Sequence, residues 1–392
     1  MLILALVFTA AFTVKSPAAE FSMAKYMSNF KNYPQDQNFL PILVFAQSIE
    51  DAPKYKAAGF NTYLHLWEGP KPGEIAAMKA AGMYLIIDMN EEARKHLDDK
   101  TIIGWRIPGE PENFEKRKDV TIGSKTWKLG ERARIPSKDL CEMYETMKKL
   151  DPTRPIFANF SCGVANDQYP GRGGGWKNSM YPEYMKAGDI VSFDVYPVSD
   201  NGEKYLWYQA KGLDRLKEWT AGEKPRFNTF GPSFIGSKKK KPSPENIKTE
   251  IWISIIHGTK GLYYFAHNIT PFAANALLRD PAMLAMVTKI NKQVTALAPV
   301  INSPGDEVEK AVSSNESVPV DYLVKKYNGD TYVFAGAMKM GDSTTATFKL
   351  KDVSKAGRVE VLEENRTLDM DATGIFKDEF KTWETHIYKA GK

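Results

Sequence analysis

The chain has 392 residues, 43% apolar and 12% aromatic, with 53 basic and 48 acidic side chains giving a net charge of +5. That length suits one large domain with a smaller module, and the composition is that of a chain that buries a core. The charge is mild and dispersed, which argues against a nucleic-acid partner. The one strong cluster, Lys238-Lys239-Lys240-Lys241, has no basic–aromatic interleaving around it and reads as a solvated loop tip.

Residues 2–14 form an apolar run, followed by Lys15-Ser16-Pro17-Ala18-Ala19-Glu20. The run is short for a membrane span, and the small residues after it suit signal-peptidase cleavage. The expectation is a signal peptide over residues 1–19, a secreted or periplasmic protein, and no stable membrane insertion after cleavage. An amino-terminal anchor is the alternative. Two cysteines, Cys141 and Cys162, are compatible with one disulfide in an oxidising compartment but do not establish it.

A repeated junction then sets the architecture. Lys56-Ala57-Ala58-Gly59, Lys79-Ala80-Ala81-Gly82, Met185-Lys186-Ala187-Gly188 and Gly258-Thr259-Lys260-Gly261 each lead straight into a short apolar run. A glycine ends a helix where the chain needs a left-handed residue, and a strand covered on both faces is apolar throughout. Strands are expected over residues 40–46, 61–67, 84–88, 102–107, 155–160, 190–196, 226–230 and 262–266, with helical segments between them. Ser48-Ile49-Glu50-Asp51 has a capping-box pattern, and Ser243-Pro244 places proline at a first helical position. Eight strand–helix units predict a (β/α)8 TIM barrel over residues 20–304. An open doubly wound sheet is the alternative, but no Gly-x-Gly-x-x-Gly turn follows the first strand.

The helix expected over 281–297 leads to a turn-rich stretch at 298–305. Beyond it, Asn328-Gly329-Asp330 sits between two β-prone runs, a strong hairpin signal. Residues 305–392 are therefore expected to form a small antiparallel β-sandwich.

In this barrel, chemistry gathers at the carboxyl ends of the strands. Those ends offer Gln47; His65, Trp67 and Glu68; Asp88 and Asn90; Arg106 and Glu110; Asn159 and Ser161; Asp194 and Tyr196; Asn228; then His267 and Asn268. Carboxylates, amides, an arginine and several rings facing one cleft suit a polyhydroxylated ligand. Plainer roles exist for each: Asp88 and Asp194 as caps, Glu68 as a rim charge, Tyr196 as packing. Glu110 is singled out because a following proline fixes it at a strand end. The run Gly171-Arg172-Gly173-Gly174-Gly175-Trp176 lacks the lysine and hydroxyl of a phosphate loop and reads as a flexible loop, with Trp176 a possible sugar platform. No Cys/His cluster has metal-ligand spacing, and nothing calls for a cofactor.

These residues resemble the clan of retaining glycoside hydrolases built on a (β/α)8 barrel, in which an acid/base Glu follows strand four. Gly104-Trp105 with Gly109-Glu110-Pro111, the strand-six end Asp194-Val195-Tyr196-Pro197, and the closing Trp383-Glu384-Thr385-His386-Ile387-Tyr388 carry the resemblance, which extends over most of residues 40–390. It is closer still to uncharacterised bacterial barrel proteins of this type, through phrases such as Asp151-Pro152-Thr153-Arg154-Pro155. The resemblance implies carbohydrate hydrolysis, with Glu110 as acid/base and Tyr196 where the family's nucleophile-supporting Tyr stands. Two departures accompany it. Gly109 stands where the family has Asn or Asp, and Gly231 stands where it has the strand-seven nucleophile.

Two readings follow. In the first, Glu110 is the general acid and Asp194 the base, with Asp88 or Glu68 the alternatives for the base, and His65, Trp67, Glu68, Asp88, Arg106, Asn159, Tyr196, Asn228 and His267 lie around the sugar. Hydrolysis asks for carboxyls about 5 Å apart for a nucleophile, or about 6.5–9.5 Å for a base with water between, and the Glu110–Asp194 pair suits the longer spacing. In the second, the chain is a carbohydrate-binding pseudoenzyme that has lost its nucleophile. A lyase or aldolase fits less well, for want of a metal cluster, a strand-end Schiff-base lysine or a phosphate site.

Overall fold

A computed structural model describes residues 21–130, 133–233, 240–305, 307–351 and 356–391. The expected signal peptide, and Lys238 and Lys239 of the lysine run, lie outside the described residues.

Eight parallel strands close into a barrel: β1 (Ile42–Phe45), β2 (Thr62–Leu64), β3 (Tyr84–Ile87), β4 (Ile102–Arg106), β5 (Ile156–Phe160), β6 (Ile190–Asp194), β7 (Arg226–Phe230) and β8 (Leu262–Tyr264). Each falls inside the run expected from the sequence, and β8 pairs β1 to complete the ring. The interior is filled by one residue from every strand: Leu43, Leu64, Ile86, Ile103, Phe157, Ile190, Phe227 and Tyr263. The helix Met23–Met27 plugs this layer, adding Met23, Met27 and the following Phe30 and Tyr33.

Counting in twos from that layer, by the period of a strand, brings Phe45, Asp88, Asn159, Asp194, Tyr196 and Phe265 to the inner face above it. The helices Ser137–Leu150, Tyr208–Trp219, Pro244–Ile256 and Pro281–Asn302 are among those packed outside. Ser243 caps its helix with a reciprocal Asn246 bond, and proline follows at the first position. At the earlier pattern, Ser48 accepts from Glu50 N at 3.3 Å, while Asp51 pairs with Lys54 at 2.8 Å instead of closing a box.

Gly59, Gly82 and Gly258 take the left-handed conformation expected of helix ends. Gly188 does not: its backbone is extended, at φ −153°. There a Cβ would come within 2.7 Å of Ala158 Cβ, so close packing explains that glycine. The last barrel helix also runs on to Asn302, past the expected break at 298, with Pro299 inside it.

The strands after residue 305 form a six-stranded and a three-stranded sheet, both antiparallel, enclosing a core that includes Phe348, Phe376, Phe380 and Tyr388. Asn328 and Gly329 make the hairpin turn with positive φ, and Tyr327 pairs Asp330. This part rests on the helix Pro244–Ile256, where Trp252 stacks on Phe334 at 6.2 Å and Thr249 donates to the Trp383 carbonyl at 2.9 Å. Cys141 and Cys162 are both free thiols. No described helix is long and apolar enough to cross a membrane.

Candidate active site

A cavity of about 950 Å³ opens at the carboxyl ends of the strands. One side of it, above β4–β6, is built from acids. Glu110 follows β4 in the left-handed conformation, at φ 45°, and its N–H donates to the Asn159 carbonyl at 2.8 Å. Proline next in the chain and this backbone bond turn the Glu110 carboxyl over the mouth of β5. Asn159 Nδ2 in turn donates to Asp194 Oδ1 at 2.8 Å. The Asp194 carboxyl is hydrogen-bonded to that of Glu110 and held far above the ordinary carboxylate range, first by burial and then by the charge of Glu110.

The expected long spacing between these carboxyls is therefore corrected. Glu110 and Asp194 touch, because Asn159 on the strand between them holds both residues: its backbone carbonyl accepts from the Glu110 N–H and its side-chain amide donates to Asp194.

The other face of Glu110 meets cations. Its Oε2 accepts from Asn113 Nδ2 at 3.0 Å and forms an ion pair with Arg172. Arg172 also pairs with Glu115 at 2.5 Å, and its backbone N–H donates to Asn113 Oδ1 at 2.9 Å. Arg117 donates to the carbonyls of Gly109 at 3.1 Å and Glu110 at 2.6 Å, and pairs with Glu115 at 2.8 Å.

Glu112, two residues on, has no exposed surface. Its Oε1 accepts from Ser161 N at 2.6 Å, Ser161 Oγ at 2.8 Å and Tyr181 OH at 3.1 Å, while Oε2 has no partner among the described residues. Burial pushes this carboxyl up to about 7, against the Ser161 bonds that favour its charge.

The floor beside β2–β4 holds a second cluster. His65 Nδ1 lies 2.6 Å from Asp88 Oδ2, and Arg106 Nη1 lies 2.9 Å from His65 Nδ1 and 3.1 Å from both Asp88 oxygens. Burial alone would raise the Asp88 carboxyl, but Arg106 and His65 outweigh it and hold it below its ordinary value. Arg106 also lies beside Gly109, where a Cβ would stand 3.7 Å from Nη2. A guanidinium thus occupies the flank of Gly109 that the resemblance assigns to an amide or acid.

The opposite wall is aromatic. Phe45 stacks on His65 at 5.6 Å and on Phe265 at 5.8 Å, and Tyr196 lies 6.0 Å from Phe265. Burial and the nearby Asp194 raise the Tyr196 phenol well above its ordinary value.

Of the residues expected at the site, the cavity gathers Glu110, Asp194, Asn159, Arg106, Asp88, His65, Tyr196 and Glu68. Glu68 is exposed at the mouth, 3.5 Å from Lys71. Trp67 stands outside on the rim, 57% exposed. His267 is buried below the rim, bonded to Gln47 at 2.9 Å, and burial lowers its ring to about 4. Because Gln47 Nε2 donates there, His267 Nε2 accepts and the ring is neutral.

Asn228 is misplaced by the sequence reading. It has the wrong parity, one residue from the inward-facing Phe227, and points outward to Gln209 at 2.8 Å and Ser254 at 2.7 Å. Trp176 is buried against Tyr181 and Tyr184, so it offers no sugar platform. Asn90 caps the helix Glu91–Arg94 and holds the Pro70 carbonyl.

Glu112, Glu115, Arg117 and Arg172 were missed. Glu112 and Asn113 stand immediately after the Glu-Pro turn, which was the available signal; nothing in the sequence brings Arg172 across 62 residues to Glu110. Among the described residues no group of three His, Cys, Asp or Glu side chains is placed to hold a metal ion.

No family model and no curated protein matches the chain in sequence. Solved structures match it over nearly its full length. An α-amylase from Anoxybacillus has a TM-score of 0.55 at 11% identity, covering 92% of this chain and 99% of its own. The α-amylase of Geobacillus thermoleovorans complexed with acarbose has a TM-score of 0.54 at 12% identity, covering 90% and 98%. AmyP in complex with maltose has a TM-score of 0.54 at 9% identity, covering 94% and 98%. At these identities the likeness is one of fold: the chain has the barrel-plus-β-domain architecture of α-amylase-type glycoside hydrolases.

Proposed function

We propose that the cavity binds a carbohydrate and hydrolyses an O-glycosidic bond, with Glu110 and Asp194 as the working pair. The observation that carries this is two carboxyls in contact at the mouth of a barrel with the fold of α-amylases, one of them lifted far above its ordinary range. The resemblance around Glu110 and Asp194 supports it independently of the fold.

The lifted carboxyl is the natural proton donor, so the roles expected from the sequence exchange. Asp194 gives its proton to the glycosidic oxygen as that bond breaks. Glu110, facing Arg172, takes a proton from the attacking water. The water oxygen bonds to the anomeric carbon, so proton and charge balance across the pair. Bringing substrate between two touching carboxyls requires them to part, and Arg172 on its glycine-rich loop is the group placed to draw Glu110 aside. Export is proposed from the amino-terminal apolar run alone.

A second reading, carbohydrate binding without turnover, is favoured by Gly231, which leaves no carboxylate at the end of β7.

The test is reducing-sugar release from a panel of α- and β-glucans, xylans, mannans, chitin and peptidoglycan, together with binding to the same panel. Release that falls in Glu110→Gln and Asp194→Asn supports hydrolysis. Binding without release supports the second reading. Neither binding nor release refutes both.

A further inference from the structure

The cavity wall above β1 ends in an exposed apolar patch that the acid chemistry does not use. Trp67, after β2, is 57% exposed and Phe272, after β8, is 60% exposed. Their ring centroids lie 6.2 Å apart at an interplanar angle of 46°. Ile269, 48% exposed, joins the patch to the cavity, which it also lines. Scattered apolar surface is ordinary, but adjacent exposed rings at a cleft mark a binding surface.

Both loops are braced, so the rings are held out rather than left loose. Asn268 and Ala273 exchange backbone bonds at 2.9 and 3.1 Å, closing the turn that carries Phe272. Buried His267 supports Phe272 from 5.9 Å below. On the other side, Gly69 N–H donates to the Leu66 carbonyl at 3.0 Å, and Asn90 Nδ2 holds the Pro70 carbonyl at 2.9 Å.

The topology sets this patch against the acids. Around the barrel β2 and β8 flank β1, while β4 and β6 flank β5, and β1 and β5 are diametrically opposite. An eight-stranded barrel with ordinary strand spacing and tilt is about 15 Å across between backbones. One sugar ring does not reach from one side to the other.

We infer that Trp67 and Phe272 form an outer subsite for a pyranose ring, and that the ligand is a neutral oligosaccharide chain long enough to bridge from this rim to the Glu110–Asp194 pair. The apolar face of a pyranose packs on aromatic rings while its hydroxyls stay wet. The nearest charges in the Trp67 loop, Glu68 and Lys71, pair with each other, which suits a neutral sugar.

The inference rests on the carbohydrate reading of the cavity, and its test separates the two. Calorimetric titration compares disaccharides with hexasaccharides of the α-glucan, β-glucan, xylan, mannan and chitin series, using Glu110→Gln to block turnover. The same titrations are made with Trp67→Ala and Phe272→Ala added to that protein. The expected result is a hexasaccharide bound roughly tenfold or more tightly than its disaccharide, with that preference lost in the added variants and disaccharide binding kept. A preference that survives both substitutions overturns the outer subsite and leaves the carbohydrate reading standing. No binding by any saccharide overturns both. Thermal melts equal to the parent's establish that the variants are folded.

Discussion

Two buried acids, Asp194 and Glu250, lie on either side of one stretch of barrel wall, and they differ in what they face. Inside β6, Asp194 touches Glu110 at an open cavity. Outside β7, Glu250 is buried between helices, accepts from Gln209 at 2.7 Å, and is pushed by burial up to about 8. Gln209 and Ser254 also hold Asn228 there. Burial raises both carboxyls, so a raised carboxyl alone does not mark a site. A second carboxyl in contact, and space for a ligand against the pair, are what set Asp194 apart.

The largest effect is expected at the inner pair. Asp194→Asn and Glu110→Gln should each lower turnover roughly 10²–10⁴-fold, the range for a lost acid or base. Asp194→Asn should also raise the unfolding midpoint at pH 7, because the amide removes a carboxyl that burial opposes. Saccharide hydrolysis measured beside denaturant unfolding checks both, and a loss of turnover accompanied by lower stability would collapse the distinction between the two groups.

Next comes the outer acid. Glu250 has a folded-state value raised to about 8 from 4.5. Between those pH values the unfolded chain releases a proton that the folded chain keeps, so stability falls as pH rises from about 4.5 to about 8 and levels off above. The full span is on the order of 5 kcal/mol. Glu250→Gln should flatten that slope, making the variant more stable than the parent at pH 9 with turnover unchanged. Unfolding curves at several pH values measure it directly.

The smallest effect is expected at Asn228→Ala, which leaves Gln209 and Ser254 short of a buried partner and should cost about 1–3 kcal/mol. Its KM should match the parent's, since the side chain never faces the cavity. A raised KM would move Asn228 back into the site.

Much of this was legible in the sequence. Short apolar runs located all eight strands, four of them marked by a preceding glycine, and Asn328-Gly329 located the hairpin. Glu110 and Asp194 were legible as acids at strand ends. Asn228 was misplaced because the strand end was read without its parity, although the inward Phe227 beside it already fixed that. His267 was placed at the surface of the site because burial of a loop histidine beneath its own rim leaves no periodic trace. Glu112 escaped notice since glutamate is ordinarily exposed, and only the folded chain brings Ser161 and Tyr181 to satisfy it. Arg172 belongs to the tertiary structure alone.

The central claim is that one proton is shared by the inner pair and resides on Asp194 at neutral pH. Infrared difference spectroscopy at pH 7 between Glu112→Gln and the Glu112→Gln/Asp194→Asn double variant tests it, because the protonated Glu250 is common to both and cancels, and the Glu112 carboxyl, raised to about 7, is absent from both. The account predicts loss of a protonated-carboxyl C=O band in the double variant. A difference spectrum containing only carboxylate bands would contradict it.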